Sequence, residues 1–265
     1  MELNPDFPEP RYGVGLYKEL KGDLKGAIEE FTKAIEKRQT FARAYYSRGV
    51  IKEKLKDFAG ASADFTRAIK YDPNHSSAYT HRALIKNRNG DTAAAIFDLS
   101  RAINCDSKNP IRYKNRGYIK MTSGDLKGAL ADYDTAVALD PRSKGRYDDR
   151  GRACFKNGDF DGAIRDYSEI IKLDPKSALG YQNRGIAKSM KKDWDGACED
   201  YSHAIKINPK YADAYRNRGV AKMNKKLYKE AALDIEISLK YAPKSPNAAS
   251  LRVWIKQKLG RPSRY

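Results

Sequence analysis

Tyr181-Gln182-Asn183-Arg184-Gly185 is the stretch that decides the fold. It is an aromatic, two further residues, an arginine and a glycine. The phrase returns as Tyr113…Arg116-Gly117, Tyr147…Arg150-Gly151 and Tyr215…Arg218-Gly219. Looser copies are Tyr45…Arg48-Gly49 and Tyr79…Arg82-Ala83. The small residues fall at Gly15, Gly49, Ala83, Gly117, Gly151, Gly185 and Gly219, and the interval never slips. A fixed 34-residue period marks a solenoid of stacked units, each burying its neighbour's apolar face.

Around Gly185 the unit reads as two helices. Tyr181, Gly185 and Ile186 sit at helical spacing, and Lys191-Lys192-Asp193 breaks the pattern. Trp194, Ala197, Cys198, Tyr201, Ala204 and Ile205 then form a second helical face, which stops at Asn208-Pro209. In the second helix of each unit a small slot holds Ala27, Ala61, Ala95, Ala129, Ala163, Ala197 and Ala231. One turn further on, a bulky residue is expected to fill the space between units: Phe31, Phe65, Leu99, Tyr133, Tyr167, Tyr201 and Ile235. Another small slot follows with Ala34, Ala68, Ala102, Ala136 and Ala204, relaxed to Ile170 and Ser238. Proline closes five of the seven units, Gln39 and Ser107 replacing it in the others.

This order of Gly, Ala, aromatic, Ala and Pro at a 34-residue period resembles the tetratricopeptide repeat. The resemblance implies an all-α fold, a right-handed α-solenoid of antiparallel helix pairs. The units would be 8–41, 42–75, 76–109, 110–143, 144–177, 178–211 and 212–245, with a capping helix at 246–260 and a tail at 261–265. Two departures stand out: the usual first aromatic is tyrosine, and the usual leucine before the glycine is arginine. Glu2-Leu3-Asn4-Pro5 echoes Lys206-Ile207-Asn208-Pro209, so residues 1–7 read as the end of a preceding repeat or a frayed start.

The net charge is +18, from 52 Lys and Arg against 34 Asp and Glu. That favours acidic partners without choosing between protein, nucleic acid and a membrane surface. Cys105, Cys154 and Cys198 occupy unrelated repeat positions and show neither metal spacing nor a disulfide framework. They read as reduced, which fits a cytoplasmic protein. No stretch is long and apolar enough to span a membrane, and no cleavable signal opens the chain.

Two charged slots track each other. Arginine stands at Arg48, Arg82, Arg116, Arg150, Arg184, Arg218 and Arg252; an acid stands at Glu30, Asp64, Asp98, Asp132, Asp166, Asp200 and Asp234. Pairing within a unit would strand Glu30 and Arg252, whereas pairing each acid with the arginine of the following unit uses all fourteen. The count therefore predicts inter-repeat pairs, Glu30–Arg48 through Asp234–Arg252. One turn after the arginine slot come Lys18, Lys52, Lys86, Lys120, Lys188 and Lys222, with Cys154 the exception; these reach towards the same acids.

The resemblance implies that the first helix of each unit lines a ligand groove. The position two before the small slot of that helix reads Ser47, His81, Asn115, Asp149, Asn183 and Asn217. An amide there offers a donor and an acceptor for a peptide backbone. Lys114, Tyr118, Arg152 and Arg216 complete the expected groove. The family's two-carboxylate clamp for chaperone tails is missing: Lys114 is followed by Tyr118 where asparagine is wanted, and the next unit offers Asp149. His75, His81 and His203 occupy unrelated slots, and no phosphate loop, metal cluster or nucleophile motif appears, so neither catalysis nor a cofactor is expected. The leading expectation is a non-enzymatic scaffold holding a peptide segment of a partner, of acidic character. The alternatives are a basic solenoid binding nucleic acid or another polyanion, and a self-assembling scaffold.

Overall fold

The computed structural model describes residues 7–260, and every regular element among them is an α-helix. Residues 1–6 and 261–265, which hold the expected end of an earlier repeat and the tail, lie outside the described residues. The chain divides into two compact units, Met1–Leu139 and Asp140–Tyr265. The first contains α1 (Pro8–Leu20), α2 (Leu24–Lys37), α3 (Ala42–Lys54), α4 (Phe58–Tyr71), α5 (Ser76–Arg88), α6 (Thr92–Cys105), α7 (Pro110–Thr122) and α8 (Leu126–Leu139). The second contains α9 (Lys144–Lys156), α10 (Phe160–Leu173), α11 (Ala178–Met190), α12 (Trp194–Ile207), α13 (Ala212–Asn224), α14 (Tyr228–Tyr241) and α15 (Pro246–Leu259). Within each unit every odd-numbered helix packs on the even-numbered helix after it, and that helix packs on the next odd one. In the second unit α15 closes the series against α14.

The turn inside each pair has its own chemistry. Asp23, Asp57, Asp91, Asp125, Asp159 and Asp193 accept the backbone N–H three residues on, at 2.8 to 3.1 Å, and so cap the second helix. Such a cap contributes about 1 kcal/mol. Only α14, starting after Leu227, has no side-chain cap among these second helices. The residue before the cap is left-handed throughout: Gly22, Lys56, Gly90, Gly124, Gly158, Lys192 and Lys226 have φ between 64 and 95°. Glycine adopts that conformation freely; the three lysines hold it at a cost of about 1 kcal/mol each.

Each glycine of the slot faces a bulky side chain, a ring in five pairs and Ile235 opposite Gly219. A methyl group on Gly15 would stand 2.6 Å from Phe31, on Gly49 2.8 Å from Phe65, and on Gly185 2.7 Å from Tyr201. The one unit with Ala83 in the slot carries Leu99 in place of the ring, and both are fully buried. In that pair the small and the large residue change together, whereas Gly219 keeps glycine opposite Ile235. Phe31, Ala27 and Ile51 form one buried cluster of the first unit, and Tyr201, Ala197 and Ala221 one of the second. The residue from the following pair, Ile51 or Ala221, wedges against the ring of the pair before it.

The arginine rows correct the expected inter-repeat pairs. Each arginine binds the acid of its own helix pair: Arg48–Asp64, Arg82–Asp98, Arg116–Asp132, Arg150–Asp166, Arg184–Asp200 and Arg218–Asp234. The contacts Nε–Oδ2 and Nη2–Oδ1 make a two-pronged fork, at 2.9 and 2.7 Å for Arg184 and Asp200. The acid immediately precedes the ring that packs on the glycine, so the close approach of the two helices sets the carboxylate opposite the guanidinium. The termini find other partners, which is why counting them misleads. Glu30 takes Arg11, Lys18 and Lys33, and Arg252 stands 3.8 Å from Glu236.

The arginine nevertheless touches the preceding pair through a neutral group. In five cases its Nη1 donates to a hydroxyl there, on Thr32, Thr66, Ser100, Ser168 or Ser202, at 3.0 to 3.1 Å. The lysine row converges on the same acids, as Lys52–Asp64, Lys86–Asp98, Lys120–Asp132, Lys188–Asp200 and Lys222–Asp234. Lys191 and Lys225, just beyond the ends of first helices, bind Asp161 and Asp195 of the helix pair before.

Candidate functional site

The outward face of the odd-numbered helices carries the predicted groove residues, and the two units dress it differently. In the first unit aromatic side chains floor it. Tyr12 packs on Phe31 and Phe41, with ring centroids 5.4 and 5.2 Å away, and its hydroxyl meets Ser47 Oγ at 3.2 Å. Ser47 is buried as a result. This corrects the expectation that it meets a ligand: tyrosine from the previous pair covers it. Tyr46 repeats the arrangement one pair later, packing on Phe65, His75 and His81. Burial pushes the Tyr46 phenol up from its ordinary pKa. His81 Nδ1 lies 2.7 Å from Glu53 Oε2, so this ring is held by a carboxylate as well as by stacking on Phe65. Further along, Lys114 and Asn115 are partly exposed and Tyr118 is half exposed.

In the second unit the floor is polar. Asp148 is half-buried and shares a hydrogen bond with Asn183. Burial raises the Asp148 carboxyl above the ordinary carboxylate range, against the opposing pull of the Arg152 guanidinium and the Asn183 bond. Burial also raises the Tyr167 phenol beneath it, and the Asp148 charge adds to the effect. Arg152 is exposed and Asp149 partly so. Asn217 Oδ1 accepts from Arg216 Nη2 at 3.4 Å, while Arg216 Nη1 lies 2.6 Å from Asp213 Oδ1. The structure therefore brings Asp148, Asn183 and Arg152 together, and sets Arg216 beside Asn217. Gln182, in the slot of Tyr46 and Asp148, is buried with its Oε1 lacking a hydrogen-bond partner.

Two hollows in this face escape a reading by slots alone. One, of about 250 Å³, opens between α9 and α11 over Ile170, where Gly145 and Gly180 withhold side chains. The other, of about 540 Å³, lies between α13 and α15 and is lined by Val220, Met223, Leu251 and Trp254. The sequence signals were Gly180 where other units carry Ala44, Ala78 or Ala214, and Leu251 where α11 and α13 carry asparagine. Elsewhere His203 is exposed and stacks on Tyr181, away from the groove row, and none of the three cysteines is in a disulfide. No group of residues among those described has the donors to hold a metal ion, and no described helix is long and apolar enough to cross a membrane.

Comparison with known proteins bears on the repeat first. A family model described as tetratricopeptide repeat matches residues 42–75, and one described as TPR repeat matches 151–192 and 190–226. No curated protein matches the sequence. Among solved structures, the C-terminal part of a TPR repeat-containing protein from Cytophaga hutchinsonii superposes with a TM-score of 0.79 at 17% identity, covering 91% of this chain and 98% of that one. YrrB, described as a TPR protein with an unusual peptide-binding site, gives 0.62 at 22% identity over 69% of this chain and 95% of its own. MamA gives 0.56 at 27% identity over 60% and 93%.

Proposed function

Because the chain is a tetratricopeptide-repeat protein, a fold that serves as a protein–protein interaction scaffold and is typically non-enzymatic, we propose that it holds a peptide segment of a partner protein on the odd-helix faces. The observation that carries this reading is the amide row of the second unit. Asn183 and Asn217 stand one repeat apart, each beside an arginine-bearing neighbour, on a face with apolar hollows. One amide N–H of Asn183 is engaged with Asp148, which orients the group and leaves its oxygen and second N–H for a backbone. Arg152 and Arg216 favour a carboxylate in the ligand. The peptide-binding description of YrrB supports the general mode.

The test is a pull-down with the wild type and an Asn115→Ala, Asn183→Ala, Asn217→Ala triple variant. Loss of specific partners in the variant is expected. Unchanged capture of every partner removes the amide row from the site. A salt titration of the captured complex separates peptide from polyanion, because phosphate backbones lose affinity steeply with salt.

A further inference from the structure

Resting on that reading, we infer that the hollow between α13 and α15 takes one large apolar side chain of the ligand, and that the residues flanking that side chain in the ligand are acidic. The hollow is walled by side chains of α13 and α15 alone. Val253 occupies the small slot that is glycine in the sister helices, and it is 55% exposed. No ring packs on it, because α15 has no second helix among the described residues. Leu251 replaces the asparagine of the amide row, and Trp254 replaces Ile186 and Val220 in the slot three residues on. The groove lining therefore changes from amide to apolar at this end. Val220, Met223, Leu251 and Trp254 form its walls, and about 540 Å³ is room for an aromatic or leucine side chain.

Trp254 has the properties of an anchor site. It is 39% exposed, packs edge-on against Tyr228 at 5.8 Å, and carries the Lys258 ammonium 5.1 Å from its ring centroid. The indole is thus held in place by neighbours yet open on the hollow. Aromatic residues set in such pockets carry a disproportionate share of binding energy. Cations outnumber the acids around it: Arg216 is paired with Asp213, and Arg252 stands 3.8 Å from Glu236. α15 contains Arg252, Lys256 and Lys258 and no acidic residue. Arg216, on the lip, has one nitrogen on exposed Asp213 and offers the other only to the 3.4 Å contact with Asn217. A ligand carboxylate beside the anchor would find the Arg216 guanidinium with a further donor, and the cations of α15 close by.

The experiment uses the full chain carrying Trp194→Phe, which leaves Trp254 as the sole tryptophan of the two in the sequence. The probe is a capped heptapeptide, Gly-Ser-Asp-Phe-Asp-Ser-Gly, compared with versions bearing Ser-Phe-Ser, Lys-Phe-Lys and Asp-Ala-Asp at its centre. The Asp-Phe-Asp peptide is expected to blue-shift Trp254 emission and to bind at least about tenfold more tightly than Asp-Ala-Asp or Lys-Phe-Lys. Ser250→Phe, at an exposed position on the rim, is expected to fill the hollow and abolish the shift without lowering the melting temperature. An emission that stays fixed to millimolar peptide, equal affinity for the lysine-flanked peptide, or undiminished binding by Ser250→Phe would each overturn the inference. Binding seen by peptide anisotropy that is lost in Asn217→Ala but leaves Trp254 silent would sink the hollow while sparing the groove. Binding that moves Trp254 but ignores the asparagine substitutions would do the reverse.

Discussion

Replacing Gly185 by alanine tests the helix spacing on which every pair depends. The added methyl would lie 2.7 Å from Tyr201 Cε1, 3.0 Å from Cδ1 and 3.1 Å from Cζ. Carbon atoms prefer about 3.5–4.0 Å, so the ring must retreat by close to an ångström. It has little freedom, being 2% exposed and tied by its hydroxyl to Ser189 Oγ at 3.0 Å. Burial has already pushed that phenol's pKa up to about 12, a separate sign of how enclosed it is. Overpacking of this kind costs about 1–3 kcal/mol, and the better helix propensity of alanine returns up to about 1 kcal/mol. Gly185→Ala is therefore expected to destabilise by about 1–2 kcal/mol. In a Tyr201→Leu background the same change is expected to stabilise by about 0.5–1 kcal/mol, reproducing the Ala83 and Leu99 combination already present in the chain. A double-mutant cycle read by urea unfolding, with far-UV circular dichroism and Trp194 fluorescence followed in parallel, measures the coupling. Equal effects of Gly185→Ala in both backgrounds would refute the argument that ring and glycine set the spacing together.

Other substitutions probe the remaining devices. Asp200→Ala leaves Arg184 and Lys188 facing an empty site and is expected to cost about 3 kcal/mol in urea unfolding, whereas Asp195→Ala, which breaks an exposed pair with Lys225, leaves the midpoint nearly unchanged. Lys192→Gly relieves a left-handed backbone and is expected to stabilise by about 0.5 kcal/mol, the gain being reduced by the freer unfolded chain; a loss of stability in thermal melts would contradict the strain. Asp148 has a raised folded-state pKa, so its contribution to stability is fully present below the ordinary aspartate pKa and is lost as pH rises through the folded value. Asp148→Asn is accordingly expected to raise the melting temperature at pH 7, the difference from wild type shrinking as pH falls through the carboxylate range.

The period alone reveals the repeat, because a small residue and a bulky one must recur together to keep two helices at one distance. The partner of each arginine was harder to read. An acid in its own pair and an acid in the pair before both recur with the same period, and the end groups Glu30 and Arg252 pointed to the wrong one. The first described pair departs from the repeat rule: Arg11 and Lys33 are local answers to Glu30, drawn from no row. Ser47 illustrates another limit. Its slot predicts an open face, but its burial comes from Tyr12, a side chain 35 residues earlier whose reach a linear pattern does not contain. The hollow beside Trp254 shows in the sequence only as Leu251 and Trp254 standing where α11 and α13 carry an asparagine and an aliphatic residue.

The internal pairing of arginine and acid also bears on how such a chain can grow. A gene duplication that copies one whole repeat imports a complete ion pair along with its turn, its cap and its ring. The arginine and its acid are not parted at either junction, since what the arginine reaches in its neighbour is a hydroxyl, and serine and threonine serve equally in that place. Each copy arrives with this pair complete, while exposed links such as Lys191–Asp161 and Lys225–Asp195 are made across the junction. Its odd-helix face is then free to drift, and that is where Tyr46, Asp148, Gln182 and Arg216 have diverged within a single repeat position.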